Sequence, residues 1–438
     1  MKSSRFRAVA LVGICALGGI VSTTGEAAAQ ESTLASAKER TRQAPASSEA
    51  SLAYGRALRR AGREAEALVE LERGQAFARG DAAITFSWEI ARTHVAKRDF
   101  VPAMASCRSI AKLPNGKAAG HVCAAEAHLL WRRGTEAVAE LAEVTKIPRT
   151  DDEVRFHAKL AEGRSRELDS KDAEAEAAYR DALQLAPNRF EGHLLLGVLL
   201  RRTGKDGVPS LERAVELDEH DPIAQLELGQ ALAAEPGRQT DALAALEKAV
   251  AERPTFADAL RSLTEAYLAA GRMADAKRVA ASVLAVAPKD VLAHIVSGRV
   301  ALADGKPDDA IKQGEKALEL MPNEGRAKLL IADAYVKKGE IDLALEAYQK
   351  ASGLSPLDPA PLVNATNACV AAGRLTSAKA FGQRAVLDFP NHAPAWVAHG
   401  DALAADGNAR AARTAYEAAR GAKGADRALI ERKLSRLR

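Results

Sequence analysis

An all-α solenoid of stacked helix-turn-helix units is the fold class that the sequence predicts, and three observations predict it. Gly271, Gly305, Gly339, Gly373 and Gly407 recur every 34 residues. Ala276, Ala310, Ala344, Ala378 and Ala412 keep the same step, as do Pro288, Pro322, Pro356 and Pro390. Hydrophobic residues make up 47% of the chain but aromatics only 4%, so a core must be built from Ala and Leu at close helix-helix contacts. A fixed period of roughly 20–50 residues marks a solenoid, in which each unit buries its apolar face only against its neighbours. The chain is therefore not read as two or three globular domains.

The first element stands apart from the repeats. "MKSSRFR" supplies a basic n-region and "AVALVGICALGGIV" an apolar run short of the about 18 residues of a membrane span. "GEAAAQ" follows as a small-residue cleavage site. Residues 1–29 are expected to be a secretory signal cleaved near Ala29, which makes the mature chain periplasmic or secreted. Cys15 follows Ile14, where bacterial lipid attachment requires Gly, Ala or Ser, so lipidation is rejected. Residues 30–47 form a polar leader, flexible or partly helical up to Pro45.

Each fixed position of the repeats has a physical task. The Gly follows an apolar-periodic stretch such as "IVSGRVALAD", where a left-handed residue ends the first helix and satisfies its last carbonyls. The Ala five residues later begins the second helix, opposite the small residue in the middle of the first (Gly163, Gly197, Gly229, Gly298, Gly400). The Pro twelve residues after the Ala closes the second helix. Asp221 followed by Pro222 reads as an N-cap with Pro at the first helical position.

This pattern resembles the tetratricopeptide repeat, a helix-turn-helix unit of roughly 34 residues. The resemblance implies a right-handed superhelical solenoid of about eleven units over residues 48–424, with starts near Ser48, Ile84, Gly120, Phe156, Phe190, Pro222, Ala257, Val291, Gly325, Pro359 and Ala393. The second helices of the third and fifth units read as shortened by about two residues. Residues 425–438, apolar at Leu429, Ile430, Leu434 and Leu437, suit the solvating cap helix that a solenoid needs at its end.

The residues that remain bear on function. With 62 basic against 58 acidic residues, the charge balance gives no reason to expect nucleic acid. No His-Glu-x-x-His, Gly-x-Ser-x-Gly or Walker-type loop occurs, and neither an enzyme nor a cofactor is expected. His121, His128 and His157 are placed by the repeat template on one inner surface, but no carboxylate or Cys partner is evident and a metal is not expected. Within the architecture the resemblance implies, Cys107 and Cys123 fall on adjacent packed helices and are expected to form a disulfide in an oxidising compartment, leaving Cys369 free.

A protein-binding scaffold of the bacterial envelope is the function class favoured by the resemblance, with an outer-membrane assembly, pilus or polysaccharide-export system as its setting. Direct carbohydrate or cell-wall binding is the alternative, for which Trp88 and Trp131 are the candidate platforms. In this family the ninth position of each unit points into the concave groove. Carried over, it yields Arg56, Arg92, His128 and Arg164, then Val198, Gln230, Glu265, Arg299, Asp333, Asn367 and Asp401, so the sign changes along the rod, with Arg59, Arg60, Arg132, Arg201 and Arg202 one turn further on in the early units. The expected reading is a basic N-terminal strip for an acidic or extended partner segment. The C-terminal units line the same surface with Leu292, Ile295, Leu302, Leu329, Val336, Val363 and Val370, suited to an apolar helix or strand of that partner.

Overall fold

The computed structural model describes residues 26–148 and 150–437. The expected export signal lies outside the described residues as far as residue 25. Among the described residues every regular element is a helix, and one isolated parallel bridge joins His392 to Lys423. The fold is an all-α helical-repeat solenoid.

Contacts divide the chain into two compact units, the first ending at Ala266 and the second starting at Tyr267. In the first, α1 (Glu26–Gln43) precedes six helix pairs. These are α2 (Ser48–Arg60) with α3 (Glu64–Gln75), α4 (Asp81–Ala96) with α5 (Phe100–Ala111), and α6 (Lys117–Leu130) with α7 (Gly134–Thr145). Then come α8 (Asp152–Leu168) with α9 (Asp172–Leu185), α10 (Phe190–Arg202) with α11 (Val208–Leu217), and α12 (Pro222–Ala233) with α13 (Gln239–Glu252). The division falls inside α14 (Ala257–Ala269), which precedes α15 (Met273–Val286). The second unit continues with α16 (Val291–Ala303) and α17 (Pro307–Leu320), then α18 (Gly325–Lys338) and α19 (Ile341–Leu354). It ends with α20 (Ala360–Ala371) and α21 (Leu375–Asp388), α22 (Ala393–Ala405) and α23 (Ala409–Gly421), and the solitary α24 (Arg427–Arg436).

The recurring Gly ends each first helix as a left-handed residue: Gly271, Gly305, Gly339, Gly373 and Gly407 have φ between 69° and 80°. In the early units the same turn position is filled by Arg98, Arg132 and Ser170, also at positive φ of 56° to 60°. The small residue in mid-helix faces a large side chain, of its own second helix in most units and, for Gly298, Leu330 of the next unit's first helix. A Cβ on Gly163 would lie 2.3 Å from the Tyr179 ring, and one on Gly400 2.5 Å from Tyr416. The recurring Ala residues at 276, 310, 344, 378 and 412 are fully buried, so the close approach expected there is present.

The second helices are shorter in more units than the periodicity indicates. α7 has 12 residues and α11 only 10, but α3 and α5 also have 12, against 14 in α9, α13 and α15. Gly207 and Pro209 delay the start of α11, because Pro is tolerated only in the first turn. Conversely α4, α6 and α8 begin three or four residues before Ile84, Gly120 and Phe156. Asp151 caps that added turn of α8 by accepting from the Val154 amide at 2.7 Å.

The N-terminal leader is helical through α1 and packs against both α2 and α13. Its seam is small, with Ala37 and Thr41 buried one turn apart, and Thr41 donates its hydroxyl to the Ala37 carbonyl at 2.8 Å. The first unit thus turns back on itself. Arg60 of α2 pairs with Asp218, and Arg253, after α13, lies 3.6 Å from Glu64 of α3 with both side chains buried. Arg253 also stacks 5.3 Å from the Phe256 ring. At the other end, α24 inserts Ile430 and Leu434 against Tyr416 and Ala419, covering the last pair as a cap must.

Candidate functional site

Because the first unit closes on itself, its first helices surround a cavity of about 730 Å³. Arg56, Arg59, Arg60, Trp88, Arg92 and Arg164 are brought together around it. The expected basic strip needs correction, because carboxylates line the same wall. Arg56 Nε donates to Glu89 Oε1 at 2.9 Å and Arg59 Nη2 to Glu89 Oε2 at 3.2 Å. Arg60 is occupied by Asp218, and Arg92 lies 3.8 Å from both Glu126 and Glu191. Arg164 differs from these: among the described residues no carboxylate lies within ion-pair distance of it.

The buried carboxylates are strongly held. Burial pushes the Glu89 pKa up, but the charges of Arg59, Arg92 and Arg56 overcome it and leave the carboxyl at about 2. Burial likewise opposes ionisation of Glu126, and Arg92, His157 and Arg164 bring it to about 2. His157 sits between Glu126 and Glu153, its Nδ1 3.4 Å from Glu126 Oε1 without hydrogen-bond geometry and its Nε2 3.5 Å from Glu153 Oε1. Burial drives its pKa down, and those two carboxylates more than reverse the effect, leaving the pKa above that of a free imidazole.

The remaining predicted residues lie elsewhere. Trp88 is only 9% exposed, donates its indole N–H to Glu126 at 3.1 Å and packs 4.9 Å from the His157 ring, so it is no open sugar platform. Trp131 and His128 pack on Phe100, at 5.0 and 5.5 Å between ring centroids, away from the cavity lining. Arg132 is exposed in the turn after α6, displaced because it occupies the left-handed position where other units carry Gly. Arg201 pairs with Glu227 outside the cavity lining, and Arg202 pairs with Glu167 and Asp172. Arg299 belongs to the second unit, exposed on α16.

The three histidines do not converge: His121 contacts Glu140 at 2.7 Å, His128 faces Phe100, and His157 lies in the ion network. No group of three or more His, Cys, Asp or Glu among the described residues is arranged to hold a metal ion. Cys107 and Cys123 are joined by a disulfide that borders the cavity, with Cα atoms 5.4 Å apart, while Cys369 is free and buried.

Glu89, Glu126, Glu153, Glu191 and Arg189 are site residues that the sequence does not single out, whereas His157 is placed on the inner surface without its carboxylate partners. The repeat itself carried a signal for two of them. Arg56 and Glu89 are 33 apart and Arg92 and Glu126 are 34 apart, so each Glu stands one unit on, beside its Arg on the neighbouring first helix.

In the second unit, Leu292, Leu302, Leu329, Val336, Val363 and Val370 are half-buried, forming a partly open apolar stripe, while Ile295 is buried. Two acidic groups along the stripe already have partners. Asp333 accepts from Tyr348 at 2.5 Å and from Asn364 at 3.1 Å, and Asp401 accepts from Tyr416 at 2.7 Å and from Lys433 at 2.6 Å. A smaller cavity of about 260 Å³ opens there, between Val363, Val397 and Leu429.

A family model described as tetratricopeptide repeat matches residues 233–296 and 301–361, and a second of the same description matches residues 205–257. The crystal structure of yeast Tom70 is similar at a TM-score of 0.50 and 14% identity, over 89% of this chain and 94% of that one, a likeness of fold. A tetratricopeptide repeat protein of Parabacteroides merdae matches at 15% identity and a TM-score of 0.44, over 65% of this chain and 98% of that one. A thermophilic repeat protein of Thermus thermophilus matches at 26% identity and a TM-score of 0.38, over 42% of this chain and 100% of that one. No curated protein matches the chain.

Proposed function

We propose, from the premise that the chain is a tetratricopeptide-repeat protein, that it is a non-enzymatic scaffold gripping another protein of the bacterial envelope after export. The half-open apolar stripe on α16, α18 and α20 carries this reading. Its side chains recur at equivalent positions of successive units while the core beneath them is already filled by Ala, so the exposed edges favour a further apolar surface. An amphipathic helix or strand laid along them would remove roughly 25 cal/mol of unfavourable hydration per Å² covered. The basic, then apolar, then small-residue sequence of residues 1–29 supports export to the periplasm or beyond, and an envelope machine for assembly, pilus formation or polysaccharide export is the setting that accords with such a location. Among the described residues no helix is long and apolar enough to cross a membrane.

The test is a photo-crosslinking residue placed at Val336 and, separately, at the exposed Lys312 of α17, in cells of the native host. Val336 should give a protein adduct that Lys312 does not, and the adduct should disappear in a Val370→Glu background. Identical adducts from both positions would remove the stripe as the docking surface. A mature chain that does not begin at Gln30 would remove the processing step.

A further inference from the structure

The cavity of the first unit carries an inference separate from the partner stripe. Its charged lining is paired: Glu89 with Arg56 and Arg59, Asp218 with Arg60, Glu126 with Arg92, and Glu153 with Arg189. Glu167 is paired with Arg202, Glu191 lies near Arg92 and Arg189, and Asp221 accepts from the Ile223 and Ala224 amides at 2.9 and 2.8 Å. That leaves Arg164 as the one cation of the lining, among the described residues, with no carboxylate in ion-pair reach. One turn before it on α8 is Leu160, and the neighbouring α10 contributes Leu194, Leu195 and Val198 to the same cavity. Leu195 packs with the cluster that holds Leu160, and Leu194 and Val198 with the cluster that holds Leu228 and Ile223, so the apolar wall is continuous with the core on both sides.

Size points to a small molecule. The cavity has about 730 Å³, and the Arg60–Asp218 ion pair ties α2 to the turn after α11 at its lining. That volume matches the roughly 300–1,000 Å³ of small-ligand sites, mostly apolar with few polar groups. We propose that the first unit binds a small amphiphilic monoanion, with its carboxylate or equivalent group on Arg164 and its apolar body along Leu160, Leu194, Leu195 and Val198. A single unpaired guanidinium matches a single negative charge. A dianion would leave one charge without a partner against the carboxylate-rich wall.

Decanoate is the probe, titrated calorimetrically into the full-length processed protein, with decylammonium as the same chain bearing the opposite charge. Decanoate should bind saturably at one site and decylammonium should not. Arg164→Gln should weaken decanoate by about tenfold or more, Arg164→Lys should retain most of the affinity, and Val198→Glu should abolish binding. Each variant must keep the wild-type helical circular dichroism, and the half-exposed positions of Arg164 and Val198 favour that. No saturable binding to the wild type, equal binding of the two probes, or an Arg164→Gln affinity equal to wild type would each overturn the proposal. The Val336 crosslink is unaffected by any of these outcomes, so this inference and the scaffold reading fail separately.

Discussion

Replacing Glu89 by Gln should destabilise the first unit far more than replacing either exposed partner of the ion network. Glu89 is 4% exposed and bonds Arg56 and Arg59, whose side chains are 41% and 20% exposed. Its carboxyl falls from the ordinary 4.5 to about 2 in the folded protein, which corresponds to on the order of 3 kcal/mol at neutral pH. The figure agrees with the roughly 3–5 kcal/mol lost when one member of a buried ion pair is removed. Arg56→Gln, at the more exposed end, should cost about 1 kcal/mol or less. The assay is urea unfolding followed by Trp emission in a Trp396→Phe background, which leaves Trp88 and Trp131, both in the first unit, as reporters. The sign of the pH dependence is fixed. A depressed carboxyl pKa contributes stability that is full above pH 4.5 and lost as pH falls toward about 2, so wild type and Glu89→Gln should converge in that window. A Glu89→Gln loss below about 1 kcal/mol at pH 7, or a difference that persists unchanged at pH 2, would refute the reasoning.

Three further expectations follow from particular residues. Arg132→Gly and Ser170→Gly should each raise stability by about 0.5–1 kcal/mol, since a left-handed L-residue costs about 1–2 kcal/mol and glycine's added freedom in the unfolded chain offsets part of the gain; thermal melts of the single variants check this. Replacing Cys107 and Cys123 together by Ala should cost about 3 kcal/mol for the loop of separation 16, seen as a lower urea midpoint of the first unit, and the unreduced, unfolded mature protein should give one reactive thiol, Cys369, by alkylation and mass. A fragment from Thr255 to Arg438 should fold alone, because it contains all of α14 and every later pair with its cap; circular dichroism of a random coil would count against it.

The fold was legible because a solenoid writes its core once per unit. The Gly that stops a helix and the Ala that admits its neighbour are demanded by local geometry, and local geometry repeats with the sequence. Legibility failed where a different residue meets the same demand. The repeat template makes Arg132 a groove residue, yet its backbone performs the task of the turn glycine, and that task directs the side chain outward. The early second helices were misjudged for a related reason: a 12-residue helix and a 14-residue helix differ only at a frayed end, where propensity says little.

Charge was misread for a deeper reason. A list of arginines on one face predicts a basic surface only if the acids lie elsewhere, and placement of the acids requires the partner of each side chain across the unit boundary. Glu89 and Glu126 stand about one period after Arg56 and Arg92, so the same 34-residue step that announces the fold also neutralises the strip. Arg164 breaks that rule: 34 residues later the chain carries Val198, an apolar residue that lines the same cavity. At this step of the first unit, the position one period after the guanidinium carries an apolar side chain of the same cavity instead of a carboxylate. Glu126 acts on Arg164 only from beyond ion-pair distance, so direct pairing is left to whatever enters the space, and the apolar wall determines that the entering molecule must be more than an inorganic ion.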